Sequence, residues 1–224
     1  MRPSEMKTNY GVIGNLELAG EQVANLVDSG RRDRLIEQGR EAEQYVYALE
    51  PNMLAALEGH TVSVEPWETA AVWAYGLDWR PVPIFQNYSA YTSHLDRLNA
   101  EAIESPAGPE RILRENPPQV YNEFPTPDLD GRFAGWDPPE QMRAVLCHFR
   151  PLVISGRWEV LGRTADRCGA PRLIEKVDGR YGEAIQVPAP GKGEVVFVRI
   201  HGAEIGGIER LTNFLLHARI RHIL

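Results

Sequence analysis

Two predicted strands of this sequence are each followed by side chains that suit sugar binding. Glu65 and Gln86 stand at the ends of the two strands. Three aromatic residues come shortly after them: Trp67, Tyr88 and Tyr91. Because ligands of an open parallel sheet bind where the loops after its strands converge, we expect these side chains to share one edge. A carboxylate and an amide can hold sugar hydroxyls, and aromatic rings offer an apolar platform.

The same residues have a structural interpretation, which the sequence favours over a ligand site. The three aromatic rings would then be buried in the core. Glu65, Gln86 and Asn87 would satisfy the backbone donors at the starts of the helices that follow.

A second polar pair, Asp130 and Arg132, lies in an irregular stretch over residues 116–139 that contains many prolines. The two side chains could hold this stretch in place through a polar contact, or they could bind a ligand group. An Asp-Gly turn is the commoner reason for such a pattern.

No metal site or cofactor is predicted. His60, His94 and His148 lie in different predicted elements, and no His-x-x-x-His or Cys-x-x-Cys spacing accompanies them. The chain also lacks the Gly-x-Ser-x-Gly elbow, the phosphate loop and the dinucleotide fingerprint. The missing constellations argue against an autonomous enzyme.

The two cysteines, Cys147 and Cys168, have a separation that fits no metal motif. Their redox state is open on the residues alone. They are two buried thiols if the compartment is reducing. In an oxidising compartment a disulfide would join the last helix of the first domain to the segment that leaves it.

The predicted elements alternate between strand and helix up to about residue 115. This order favours an α/β fold with a mainly parallel sheet flanked by helices, a Rossmann-like three-layer arrangement. A helix over residues 21–47 is expected to be interrupted at Gly30 and Gly39, and residues 80–86 are expected to form a strand. Two later strands are predicted around a turn at Ser155 and Gly156.

Two domains are predicted, an α/β domain over residues 20–168 and a smaller β-rich region over residues 169–224. The second region has alternating apolar positions and glycine-rich turns. Its last residues form an apolar run with no polar tail, so we expect the chain to be truncated there.

Composition indicates a folded chain, with 43% hydrophobic and 25% charged residues. The net charge of -7 is spread along the chain without a basic stripe, which argues against nucleic acid as a partner. No window reaches the roughly 18 consecutive apolar residues of a membrane helix, and no signal peptide is recognisable, so the chain as given is predicted to be soluble.

Four segments resemble, in the same order, the soluble C-terminal region of large, mainly actinobacterial, polytopic membrane proteins. The segments are residues 64–101, 109–115, 130–150 and 156–172. Those membrane proteins are similar to the C superfamily of membrane glycosyltransferases. The similarity extends over roughly residues 20 to 220.

The resemblance implies a domain on the extracytoplasmic face of the bacterial cell membrane, within a larger protein whose membrane portion uses a lipid-linked sugar donor. A complete chain would instead be expected in the cytoplasm. No catalytic residue carries over, because this chain has neither membrane helices nor the acidic loop residues of such transferases. The resemblance favours a disulfide between Cys147 and Cys168, since an exported domain meets oxidising conditions.

Three functions follow as hypotheses. The first is a noncatalytic domain that recognises an acceptor glycan or lipid-linked sugar, or that packs on the membrane domain of its parent protein. The second is a free-standing carbohydrate-active enzyme that uses Glu65 as acid or base, although glycoside hydrolysis normally needs two carboxylates. The third is a structural or oligomerisation domain.

Overall fold

A computed structural model describes residues 12–115, 128–129, 132–133, 138–180 and 182–202. The chain divides into two compact units, residues 1–169 and 170–224. The helices described in the first unit are α1 (Val12–Val27), α2 (Ser29–Tyr47), α3 (Pro51–Leu57), α4 (Ala70–Tyr75), α5 (Ser93–Glu104) and α6 (Pro139–His148). Its described strands are β1 (Thr61–Glu65), β2 (Asp78–Trp79), β3 (Arg111–Glu115), β4 (Asp128–Leu129), β5 (Arg132–Phe133), β6 (Phe149–Ser155) and β7 (Trp158–Arg163).

The main sheet has five strands in the order β2-β1-β3-β7-β6 and is mixed. β1 runs parallel to β2 and β3, whereas β7 runs antiparallel to both β3 and β6. The predicted α/β class is confirmed, but the mainly parallel, Rossmann-like sheet is not. The reason is the tight turn between β6 and β7, where Gly156 has a φ of 56° and so reverses the chain within two residues. β4 and β5 form a separate antiparallel pair.

Each face of the main sheet packs against different helices, because successive side chains of a strand point to opposite faces. On one face, Val62 and Val64 of β1 and Leu113 of β3 pack with buried residues of α2, α3 and α4. On the other face, Ile112 and Leu161 pack with buried residues of α5 and α6. The sheet is therefore enclosed by helices on both sides.

The long N-terminal helix is interrupted at Asp28, and the predicted interruptions at Gly30 and Gly39 are wrong. The Asp28 carboxylate accepts a hydrogen bond from the backbone N–H of Arg31 and so caps α2. Gly39 lies within α2 and packs against α4. A Cβ atom added at Gly39 would be 3.1 Å from the Trp73 ring. This glycine therefore serves close packing rather than a helix break.

The strand predicted over residues 80–86 is also wrong, because β2 ends at Trp79. Pro81 and Pro83 have no backbone N–H to donate to a sheet, which disfavours continued pairing. The backbone N–H and C=O of Ile84 bond instead to the side-chain amide of Asn99 on α5. The Asn99 side chain thus forms the hydrogen bonds that a neighbouring strand would otherwise provide to Ile84.

Cys147 of α6 and Cys168 form a disulfide, with their sulfur atoms 2.05 Å apart. This is the pairing that the resemblance favoured. Arg167 adds two bonds to the end of α6, from its backbone N–H to Cys147 and from its guanidinium Nε to the carbonyl of Leu146. The segment after β7 is therefore fastened back onto α6.

The second unit has no helix or strand in residues 170–180 and 182–202. The β structure predicted from residue 169 onward is thus absent from this described part, and residues 203–224 lie outside it. The alternating apolar side chains are exposed, with Val195 and Phe197 each at 55%. Alternation alone does not make a strand when no second strand pairs with it. In the described residues, no helix combines the length and hydropathy required to cross a membrane.

Glu110 holds the start of β1 and gives one pH-dependent prediction. A hydrogen bond from the backbone N–H of Thr61, followed by the contact with His60, holds the pKa of Glu110 below its ordinary value of 4.5. Because the folded-state pKa is lowered, this contribution to stability is present above the unfolded pKa and is lost as the pH falls through the folded pKa.

Glu110→Gln is therefore expected to lower the melting temperature at about pH 7, and the difference from the unmodified protein should shrink below about pH 4. Thermal unfolding followed by circular dichroism over this range measures both values. A difference that stays constant down to about pH 3 would contradict the assignment.

Candidate functional site

Two linked aromatic pairs lie in the loops that follow β1 and β2. Trp67 stands two residues after β1 and meets Tyr88 edge to face, with ring centroids 5.2 Å apart and planes at 90°. Trp79, the last residue of β2, meets Phe85 at 6.1 Å and 76°. The segment from Phe85 to Tyr88 contributes one ring to each pair, so the two pairs are held by one short stretch of chain.

The rings of these pairs are accessible to different degrees. Trp79 and Phe85 are each 42% exposed, whereas Trp67 and Tyr88 are about half-buried. Tyr91 is 81% exposed and belongs to no ring pair in the described part of the chain. Of the three rings that the structural interpretation placed in the core, Trp67 and Tyr88 are half-buried and Tyr91 is exposed.

Glu65 and Gln86 differ in their environments. The Glu65 side chain is only 1% exposed, and its Oε1 accepts a hydrogen bond of 2.7 Å from Nε2 of Gln141 on α6. Gln86 is exposed and precedes a short 3-10 helix, Asn87–Ser89. The structure thus places the carboxylate in the interior and the amide at the surface.

A buried chain of hydrogen bonds connects the segments that bear the two pairs. Gln141 donates to Glu65 and accepts a 2.7 Å bond from Nδ2 of Asn99. Asn99 in turn bonds to both backbone groups of Ile84, at 2.8 and 3.0 Å. Since Glu65 is two residues from Trp67 and Ile84 adjoins Phe85, this network fixes both ring-bearing segments to α5 and α6.

The position of Gln141 is itself set by a helix cap. Both oxygens of the Asp96 carboxylate on α5 accept backbone N–H groups at the start of α6, from Glu140 at 3.0 Å and Gln141 at 2.8 Å. A carboxylate at a helix N-terminus satisfies unpaired donors and is favoured by the helix dipole. The cap therefore orients the residue that links the network.

The loop carrying Trp67 is held on its other side by α2. The hydroxyl of Tyr47 donates to the Glu68 carboxylate at 3.0 Å. Burial, together with this hydrogen bond, raises the pKa of Tyr47 well above its ordinary value. The hydroxyl therefore remains a donor at physiological pH, and Trp67 lies in a loop anchored at both ends.

A second buried carboxylate, Glu159, shares a sheet face with Glu65. The strand registers align Glu65 with Arg114 and Arg114 with Glu159. Arg114 donates to the Glu159 Oε2 from Nε at 3.2 Å and from Nη2 at 2.7 Å. Glu159 is 4% exposed, so burial and the arginine both separate it from a substrate in solvent. These two carboxylates do not form an accessible acid and base pair.

Asp130 and Arg132 are the remaining residues of the predicted site. Asp130 lies outside the described residues, and Arg132 belongs to β5, with a side chain that is also outside them. Sequence reasoning missed Trp79, Phe85, Asn99 and Gln141. Asn99 and Gln141 could have been found as polar residues at the spacing of the buried faces of α5 and α6.

No protein family, curated protein or solved structure matches this chain. The resemblance to membrane glycosyltransferases consequently stays a prediction. Functional inference rests on the placement of the side chains, above all on the linked aromatic pairs.

One group of potential metal ligands occurs in the described residues: Cys147, Asp166 and Cys168. The two sulfur atoms are bonded to each other. A disulfide offers no thiolate, which is the form of cysteine that binds metal ions. In the disulfide-bonded protein the two cysteines of this group therefore form a covalent crosslink rather than a metal centre.

Proposed function

We propose that this domain binds a short oligosaccharide without catalysing its conversion. The observation that carries the proposal is the pair of edge-to-face contacts, Trp67 with Tyr88 and Trp79 with Phe85, at the ends of two neighbouring parallel strands. Aromatic faces give the apolar C–H surface of a sugar ring a flat platform, and neighbouring polar groups satisfy its hydroxyls. Gln86 supplies an exposed amide between the two pairs.

The spacing lets one short oligosaccharide reach both aromatic pairs. Phe85 and Tyr88 are three residues apart, so their Cα atoms are separated by no more than about 11 Å. A ligand of a few sugar units can span this distance and contact both pairs. The buried network and the Tyr47 contact hold the ring-bearing segments in advance, which reduces the entropy lost on binding.

Burial of the carboxylates supports a noncatalytic role. Glycoside hydrolysis needs two carboxyl groups that reach the glycosidic bond. Glu65 and Glu159 are instead committed to Gln141 and Arg114 inside the protein. Recognition of a glycan acceptor is therefore a better fit to this geometry than an enzyme based on Glu65.

The disulfide supports an extracytoplasmic setting for this binding. Disulfides persist in oxidising compartments and are rare in the cytosol. The proposed ligand is thus an acceptor glycan, or the sugar portion of a lipid-linked donor, presented beside the membrane portion of a larger protein.

Trp79→Ala is expected to weaken oligosaccharide binding by about tenfold or more, since it removes an exposed stacking surface. A glycan array would identify ligands of the unmodified domain, and calorimetry would then compare affinities. Phe85→Ala should have a similar effect because it removes the partner ring. Circular dichroism would show that both variants keep the fold.

Trp73→Ala is the matched control, because Trp73 is 41% exposed and lies on α4 outside the linked aromatic pairs. The Trp73→Ala variant should bind the oligosaccharide with the same affinity as the unmodified domain. The proposal fails if the domain binds no glycan on the array, or if Trp79→Ala and Trp73→Ala bind equally well.

A further inference from the structure

The α1 and α2 helices present an unusually apolar surface to solvent. Among the side chains of these helices that the structure describes, seven large apolar ones are between 40% and 87% exposed. They are Val23, Leu26, Val27, Leu35, Ile36, Tyr45 and Val46. A concentration of exposed apolar side chains on neighbouring helices commonly marks an interaction site.

On α2 the exposed apolar residues follow a helical stripe. Leu35, Ala42 and Val46 are separated by seven and four residues, so they lie within about 40° of one another around the helix axis. A different side of α2 packs on the body of the domain: Tyr47, which is buried, and Arg40, whose guanidinium lies over the Trp73 ring, are about 120° and 140° from Leu35 around the helix axis. The stripe is therefore the free side of a helix that is already anchored.

The charges of α2 are segregated along its length. Residues 29–36 contain three arginines and one aspartate, which gives a net charge of +2. Residues 37–47 contain three glutamates and one arginine, which gives a net charge of -2. The two halves of the helix are thus complementary to each other when two copies run antiparallel.

We infer that α1 and α2 form the interface of a homodimer in which the two α2 helices pack antiparallel across a two-fold axis. A two-fold axis makes the same surface self-complementary, and antiparallel packing sets each basic half against the acidic half of the other copy. Parallel packing would oppose like charges. The apolar stripe supplies the contact area and the charges select the orientation.

An anionic membrane is a poorer match for this surface. Amphipathic helices that bind such membranes carry Lys and Arg on their polar face. α1 has neither residue, and its charged residues are Glu17 and Glu21. The four arginines of α2 are balanced by four acidic residues, so that helix has no net positive charge. A second copy of the chain is therefore the occupant that the charges favour.

A charge exchange on α2 tests this inference. The double variant Arg32→Glu with Arg34→Glu makes both halves of the helix acidic, each with a net charge of -2. The double variant Glu41→Arg with Glu43→Arg makes both halves basic, each with a net charge of +2. Sedimentation velocity on the full chain is expected to show a dimer for the unmodified protein and at least about tenfold weaker self-association for each variant.

Mixing the two variants in equal amounts should restore a dimer, because an acidic helix then faces a basic one. This restoration separates a charged interface from simple misfolding, and raised salt should weaken it. Leu35→Gln with Val46→Gln should abolish dimerisation, whereas Ile154→Gln on the edge strand β6 should leave it intact. A monomeric unmodified protein, or a mixture that does not re-associate, would overturn the inference.

Discussion

Gln141→Leu is expected to lower the free energy of unfolding by about 3 kcal/mol. Gln141 is fully buried and bonds to the Glu65 carboxylate and to the Asn99 amide. Leucine has a similar volume but neither donates nor accepts, so the loss is almost entirely one of polar contacts. Removing one partner from a buried carboxylate costs more than removing a neutral partner. Urea denaturation followed by circular dichroism measures the change.

Gln44→Leu provides the matched control for this substitution. Gln44 also donates a 2.7 Å hydrogen bond from a helix, to the carbonyl of Ala74, but it lies at the surface. Because water can replace that partner, the expected cost is about 1 kcal/mol or less. If the two variants lose similar amounts of unfolding free energy, burial of the hydrogen-bond network does not add to the stability of the fold.

A double-mutant cycle locates the effect in the contact between Gln141 and Glu65. Glu65→Leu combined with Gln141→Leu removes both polar partners, and such paired replacement is much less costly than an incomplete one. The double variant is therefore expected to be more stable than the sum of the single changes predicts, by about 1 to 3 kcal/mol. Strict additivity would mean that the two residues act independently.

The helices and the central strands were accessible to sequence reasoning because their signals are local. Periodic apolar positions and proline or glycine boundaries indicate elements such as α3, α5 and α6 without knowledge of the fold. Strand direction is not local in this way. β1 and β3, both predicted as strands, run parallel, but the chain returns through the turn at Gly156 and β7 lies antiparallel beside β3.

The surroundings of Glu65 could not be read from its neighbours in sequence. Its hydrogen-bond partner, Gln141, is 76 residues further along the chain and is positioned by the Asp96 cap. A carboxylate at the end of a strand can be either an exposed edge residue or a buried hydrogen-bond acceptor. Tertiary packing decides between these two positions for Glu65. The pairing of Trp79 with Phe85 was likewise hidden, because it depends on residues 80–86 leaving the sheet.

Breaking the disulfide between Cys147 and Cys168 is expected to destabilise the domain by about 3 kcal/mol. The bond closes a loop with a sequence separation of 21 that contains the whole of β6 and β7. In the chain-entropy description, the crosslink removes conformations from the unfolded chain, and the effect grows with loop length. Urea denaturation with and without a reducing agent gives the difference directly.

The variant Cys147→Ala with Cys168→Ala separates the crosslink from the packing of the sulfur atoms. Cys147 is buried and Cys168 is exposed, so only the first replacement should leave unfilled space in the core. The double variant is therefore expected to be somewhat less stable than the reduced protein, and adding a reducing agent should not change it. If the oxidised and reduced forms unfold at the same urea concentration, the bond does not stabilise the fold.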